Sequence, residues 1–173
     1  MKKIFLSALT ILFLLTGLHV QAQKDKSMRP SPPVTASQKL GETTVAITYS
    51  QPSVKGRTIG DDLEPIPGKV WRAGANEATV FETDKDILVE GKNLPKGKYG
   101  FFILVKEATW TIIFNKTWDQ WGAFKYKETD DVLRVPLTAG KAAAFAEKLI
   151  YKISDAGIIT VLWGNNEVTF AVK

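Results

Sequence analysis

Tyr99-Gly100-Phe101-Phe102-Ile103-Leu104-Val105-Lys106-Glu107-Ala108-Thr109-Trp110-Thr111-Ile112-Ile113-Phe114 is the stretch that decides the fold. Two runs rich in aromatic and β-branched residues flank Glu107-Ala108, which reads as a hairpin turn. Neither run alternates between polar and apolar residues. Both are apolar on two faces, as in central strands of a packed sheet.

Outward from this hairpin the chain keeps reading as strands. Thr43 to Tyr49 alternates, with Val45, Ile47 and Tyr49 on one face. Ala78 to Thr83 and Asp86 to Glu90 flank a polar turn at Asp84-Lys85, and turn formers fill Gly91 to Gly97. Val132 to Leu137 is a further strand. Ile158 to Trp163 and Glu167 to Val172 flank Gly164-Asn165-Asn166, a strong hairpin signal. Residues 139–151 are ambiguous: Ala142-Ala143-Ala144 favours helix, whereas Phe145, Leu149, Tyr151 and Ile153 fit a strand. A short turn or helical start followed by a strand is expected there. The sum is an all-β chain, an antiparallel β-sandwich of about eight or nine short strands.

The chain has 173 residues, of which 45% are hydrophobic and 24% charged, enough apolar material for a sizeable core. Its first residues read as a cleaved export signal: basic Lys2-Lys3, apolar Ile4 to Leu18, and a small-residue cleavage site ending at Ala22. The apolar run is shorter than the roughly 20 residues of a membrane span. The expected organisation is therefore a signal peptide (1–22), a flexible Pro-, Lys- and Ser-rich leader (23–36) and one domain (37–173). The protein is expected to be periplasmic or secreted, with no membrane span once the signal is removed.

Composition excludes much chemistry. Cysteine is absent and the single histidine, His19, lies in the signal. The expected mature chain thus has no thiol, no imidazole, and no nitrogen or sulfur donors for zinc or copper. No metal site and no cofactor is implied. Asp61-Asp62, Asp84-Lys85-Asp86 and Asp130-Asp131 lack the spacing of a calcium loop and read as solvated turns. Phosphate-binding loops and nucleophile elbows are missing. Ser53 and Lys55 stand close together, a spacing that chance supplies easily. Without Lys2 and Lys3 the formal charge falls from +5 to +3, and the lysines are scattered among acids, so no nucleic-acid partner is expected.

Two constellations stand out. In Gly68 to Thr79, Trp71 and Arg72 precede Asn76 and Glu77. Arginine is scarce beyond the signal, and a guanidinium beside an indole suits a pocket floor for an anionic or hydroxyl-rich ligand. The plain alternative is a buried Arg–Glu or Arg–carbonyl clamp that fixes the loop, with Glu77 or Asn76 placed to receive Arg72. In Asn115 to Tyr126, Trp118 and Trp121 alternate with polar groups, which suits sugar stacking or a lid over the sandwich end. Arg57, Trp71, Arg72, Asn76, Glu77, Asn115, Trp118 and Trp121 are the candidate binding residues, and no catalytic residue is assigned.

The chain resembles the domain-of-unknown-function family 2911. The resemblance rests on Pro30 to Pro33, Ser37 to Gly41, Tyr49 to Arg57, Val70 to Thr79, Leu94 to Tyr99, Trp110 to Lys116, Trp121 to Phe124 and Asp131 to Arg134. It implies a single β-rich domain in an exported bacterial protein and no assigned activity. A non-enzymatic binding module for a small polar or glycan ligand is the leading expectation. A glycan hydrolase with Glu77 as one carboxylate and a structural or interaction protein of the cell envelope are the alternatives. No protein partner is identified by the sequence.

Overall fold

The computed structural model describes residues 25–173; the expected signal peptide lies outside them. Eleven strands follow in order: β1 (Pro33–Leu40), β2 (Thr43–Ser50), β3 (Val70–Trp71), β4 (Ala75–Thr83), β5 (Ile87–Val89), β6 (Lys92–Leu94), β7 (Gly97–Lys106), β8 (Thr109–Asn115), β9 (Asp131–Thr138), β10 (Gly140–Ile153) and β11 (Ile158–Ala171). All named pairings are antiparallel, and the main sheet runs β1-β2-β4-β7-β8-β9, with β3 also on β7. The hairpin β10–β11 forms the opposing layer. The β5–β6 hairpin joins it through the C-terminus: Leu88 and Lys173 exchange backbone hydrogen bonds of 2.7 and 2.9 Å.

The two-faced apolarity of β7 and β8 has a physical cause. Phe101 and Ile103 point into the main core with Tyr151, Val161, Trp163 and Phe170 of the opposing layer. Phe102 and Ile113 point the other way, where Ala123 and Tyr126 of the β8–β9 connection cover them. Phe101 stands edge-on to Phe114 and Tyr151, with centroids 5.5 and 5.8 Å apart. Such aromatic burial dominates the stability of a core of this kind. Gly100 makes the outer cover possible: a Cβ there would lie 2.6 Å from Phe102 and 2.8 Å from the Thr117 carbonyl.

Three local expectations change. First, β1 begins at Pro33, inside the stretch expected as a leader, and pairs with β2 from Pro33↔Ser50 to Leu40↔Thr43. Pro33, with Pro30 and Pro32 before it, obscured an edge strand, where a missing N–H is tolerated. Second, residues 140–153 are strand throughout; the alanine run is extended rather than helical and falls where the pairing slips between Lys141 and Ala146. Third, Gly164-Asn165-Asn166 is no hairpin turn but the middle of a continuous β11. Gly164 takes φ +61° opposite Ala146, and the register slips on either side of that pair. The signal is that of a β-bulge, where a left-handed glycine absorbs the mismatch. Part of β10 turns instead to the 52–54 loop: the Val54 amide donates to the Glu147 carbonyl at 2.8 Å, and Leu149 to Pro52 at 3.1 Å.

Candidate functional site

The strand β3 ends at Trp71, and the chain must reverse to enter β4 at Ala75. Ala73 makes the turn with φ +53°, a left-handed conformation that costs a non-glycine residue about 1 kcal/mol or more. Its carbonyl accepts from the Tyr151 hydroxyl at 2.7 Å and the Thr79 hydroxyl at 2.9 Å, which hold the turn. The Trp71 indole donates to the Gly74 carbonyl at 3.1 Å and its ring stacks with Trp163, centroids 6.4 Å apart. Trp71 is thus a floor residue, buried in the core.

Arg72 leaves this turn half-buried. It pairs with neither Glu77 nor Asn76, which corrects the expected clamp. Its Nε is fully buried without a hydrogen-bond partner, and no carboxylate among the described residues forms an ion pair with it. Burial lowers its pKa, and the charge of Glu64 opposes that only in part. The side chain lines a cavity of about 230 Å³ together with Arg57, Asp62, Glu64, Trp71 and Trp163.

Arg57 is tied down: Nε donates to the Val54 carbonyl at 3.1 Å and Nη2 to Ser53 at 2.7 Å. The acids are each half used. One oxygen of Asp62 accepts from the Thr58 amide and one of Glu64 from the Ile66 amide, at 2.6 and 2.7 Å. The cavity therefore offers fixed cationic donors beside carboxylate acceptors that have lone pairs to spare.

Glu77 belongs to a neighbouring site. Arg29 and Lys26 reach its carboxylate at 2.9 and 3.0 Å, and Arg29 lies over the Trp121 ring, 5.9 Å from its centroid. Partial burial pushes the Glu77 carboxyl up, but the hydrogen bonds from Arg29 and Lys26 prevail and hold it at about 2. The general acid of a glycosidase has a raised pKa, so Glu77 as paired here does not fit the acid's role, whereas the nucleophile or base of such a pair is an ionised carboxylate. Lys26, Glu77, Trp118 and Asp119 line a cavity of about 210 Å³.

The segment from Lys26 to Pro33 runs between the two cavities. Ser31 lines the Arg72 cavity, whereas Lys26 and Pro33 line the Glu77 cavity. Asn76, in the left-handed region at φ +57°, pins the divider by donating from Nδ2 to the Ser31 carbonyl at 3.0 Å.

The candidate residues thus fall into groups. Arg57, Trp71 and Arg72 share one cavity; Glu77 and Trp118 share the next; Asn76 joins them. Trp121 pairs with the backbone of Glu77 and is 53% exposed. Asn115 is set apart in the interior, donating to the Lys127 carbonyl and to Asp131 and accepting from the Thr117 amide. The lid over the sheet is made by Ala123 and Tyr126 rather than by the tryptophans. Asp62, Glu64, Lys26 and Arg29 were missed by the sequence reading. The scarcity of arginine was a usable signal for Arg29.

A family model described as "Protein of unknown function (DUF2911)" matches residues 31–172. No curated protein and no solved structure matches the chain.

Proposed function

The chain belongs to the DUF2911 family, and we propose that it is a non-enzymatic binding module for a small carbohydrate-like acid. The observation that carries this reading is the Arg72 guanidinium, half-buried at a cavity wall with an unpartnered Nε. A partly desolvated cation whose burial the charge of Glu64 offsets only in part is costly, and an incoming carboxylate relieves that cost with charge-assisted hydrogen bonds to the guanidinium. The free oxygens of Asp62 and Glu64 repel a simple anion but accept from hydroxyl groups. A ligand bearing one carboxylate and several hydroxyls satisfies both sets, and sugar acids have that composition. Held strain at Ala73 supports a turn shaped for recognition. The expected place of action is outside the cytoplasm, argued from the segment Met1 to Ala22.

Calorimetric titration with galacturonate, glucuronate and the neutral sugar galactose tests the reading. At least one of the acids binds, galactose does not, and Arg72→Met abolishes binding. Equal binding of galactose, or full binding by Arg72→Met, overturns it.

A second reading, an interaction protein of the cell envelope, is favoured by the exposed rings of Trp121 and Phe124, the latter 86% exposed. Crosslinking in intact cells tests it: loss of a crosslinked partner in Phe124→Ser supports it, and no crosslinked partner contradicts it.

A further inference from the structure

We propose that the ligand of the Arg72 cavity is a chain of sugar acids rather than a single one, and that its second unit sits in an adjoining cavity walled by Phe145, Asn165 and Asn166. This inference rests on the preceding reading and extends it. The adjoining cavity measures about 280 Å³ and shares Arg57 with the first, so one guanidinium borders both. Each space is smaller than the roughly 300–1,000 Å³ of ordinary ligand sites, and the two together fall within that range.

The chemistry of the second cavity is that of a sugar subsite. Phe145 lies on the stretch of β10 where the pairing with β11 slips, and it is 54% exposed at the cavity wall. An uncovered ring of this kind offers an apolar face to the C–H side of a pyranose. Asn165 makes no side-chain hydrogen bond among the described residues. Asn166 uses only Nδ2, which donates to the Trp163 carbonyl at 3.3 Å. Their free amide groups can donate to and accept from ring hydroxyls.

Gly164 fixes the geometry. Its φ of +61° turns β11 at this point, and a Cβ there would lie 2.5 Å from Ile59. The Gly-Asn-Asn run that resembles a hairpin turn thus serves to present two amides beside an aromatic ring. Arg57, with Nε and Nη2 held by backbone carbonyls, keeps Nη1 free to bridge the two units.

The test compares galacturonate with its α-1,4-linked trimer, and glucuronate with a glucuronate oligomer, by calorimetry. Wild type is compared with Phe145→Ala, Asn165→Ala and Arg72→Met, each checked for an unchanged circular dichroism spectrum. The oligomer is expected to bind at least tenfold tighter than the monomer. Phe145→Ala removes most of that advantage and leaves monomer affinity unchanged, whereas Arg72→Met abolishes both. Equal monomer and oligomer affinities, or a Phe145→Ala protein that keeps the full advantage, overturn the second cavity while sparing the first. Failure of every acid to bind wild type overturns both.

Discussion

Nη1 of Arg29 lies 2.9 Å from both carboxylate oxygens of Glu77, a partner 48 positions along the chain. With the 3.0 Å contact from Lys26, this pair fastens the segment ahead of β1 to the start of β4. The fastening has a pH signature. The folded carboxyl sits at about 2, below its ordinary 4.5, so its contribution is present above pH 4.5 and fades as pH falls towards 2. Glu77 is about one-third exposed, so solvent screening holds the contribution to about 1 kcal/mol or less. Urea unfolding of wild type and Glu77→Gln is expected to differ by that amount at pH 7 and to converge near pH 2.

Arg72→Met is expected to leave stability unchanged or to raise it by up to about 1 kcal/mol. No protein partner is orphaned, and a desolvated charge is removed. Thermal unfolding checks this; a loss of about 3 kcal/mol would restore the clamp in which Arg72 holds the loop.

Gly100→Ala is expected to destabilise by about 1–3 kcal/mol through overpacking. The added Cβ meets Phe102 and the Thr117 backbone at distances no real contact shows, so the cover over β7 must shift. Urea denaturation measures the loss.

Asn115→Ala is expected to cost about 1–3 kcal/mol because it leaves the Thr117 amide and the Lys127 carbonyl without their partner. Loosening of residues 117–127 accompanies it, read as faster amide exchange in that segment than in β7.

The sheet was legible because its signals are local. Glu107-Ala108 marks the β7–β8 hairpin, with Lys106 opposite Thr109. The two-faced apolarity of Phe101 to Val105 announced a covered sheet, although not what covers it. Gly164-Asn165-Asn166 misled because a left-handed glycine serves a bulge as readily as a turn, and only the partner strand decides which. Pro33 concealed β1, since a proline reads as a breaker unless the strand is known to be an edge. The site was half legible. The scarcity of arginine, and the Trp71-Arg72 pair, singled out Arg57, Trp71 and Arg72, which line one cavity. That Glu77 answers to Arg29, and that Asp62 and Glu64 face Arg72's cavity, depends on long-range packing that no spacing in the chain records.

The central claim concerns one atom, the buried Nε of Arg72. Its N–H resonance, assigned by comparison with Arg72→Lys, reports the surroundings of the guanidinium during titration with galacturonate or glucuronate. The account predicts that this resonance shifts progressively and saturates, and that its exchange with water slows as the carboxylate seats. A resonance that stays fixed throughout both titrations would contradict it.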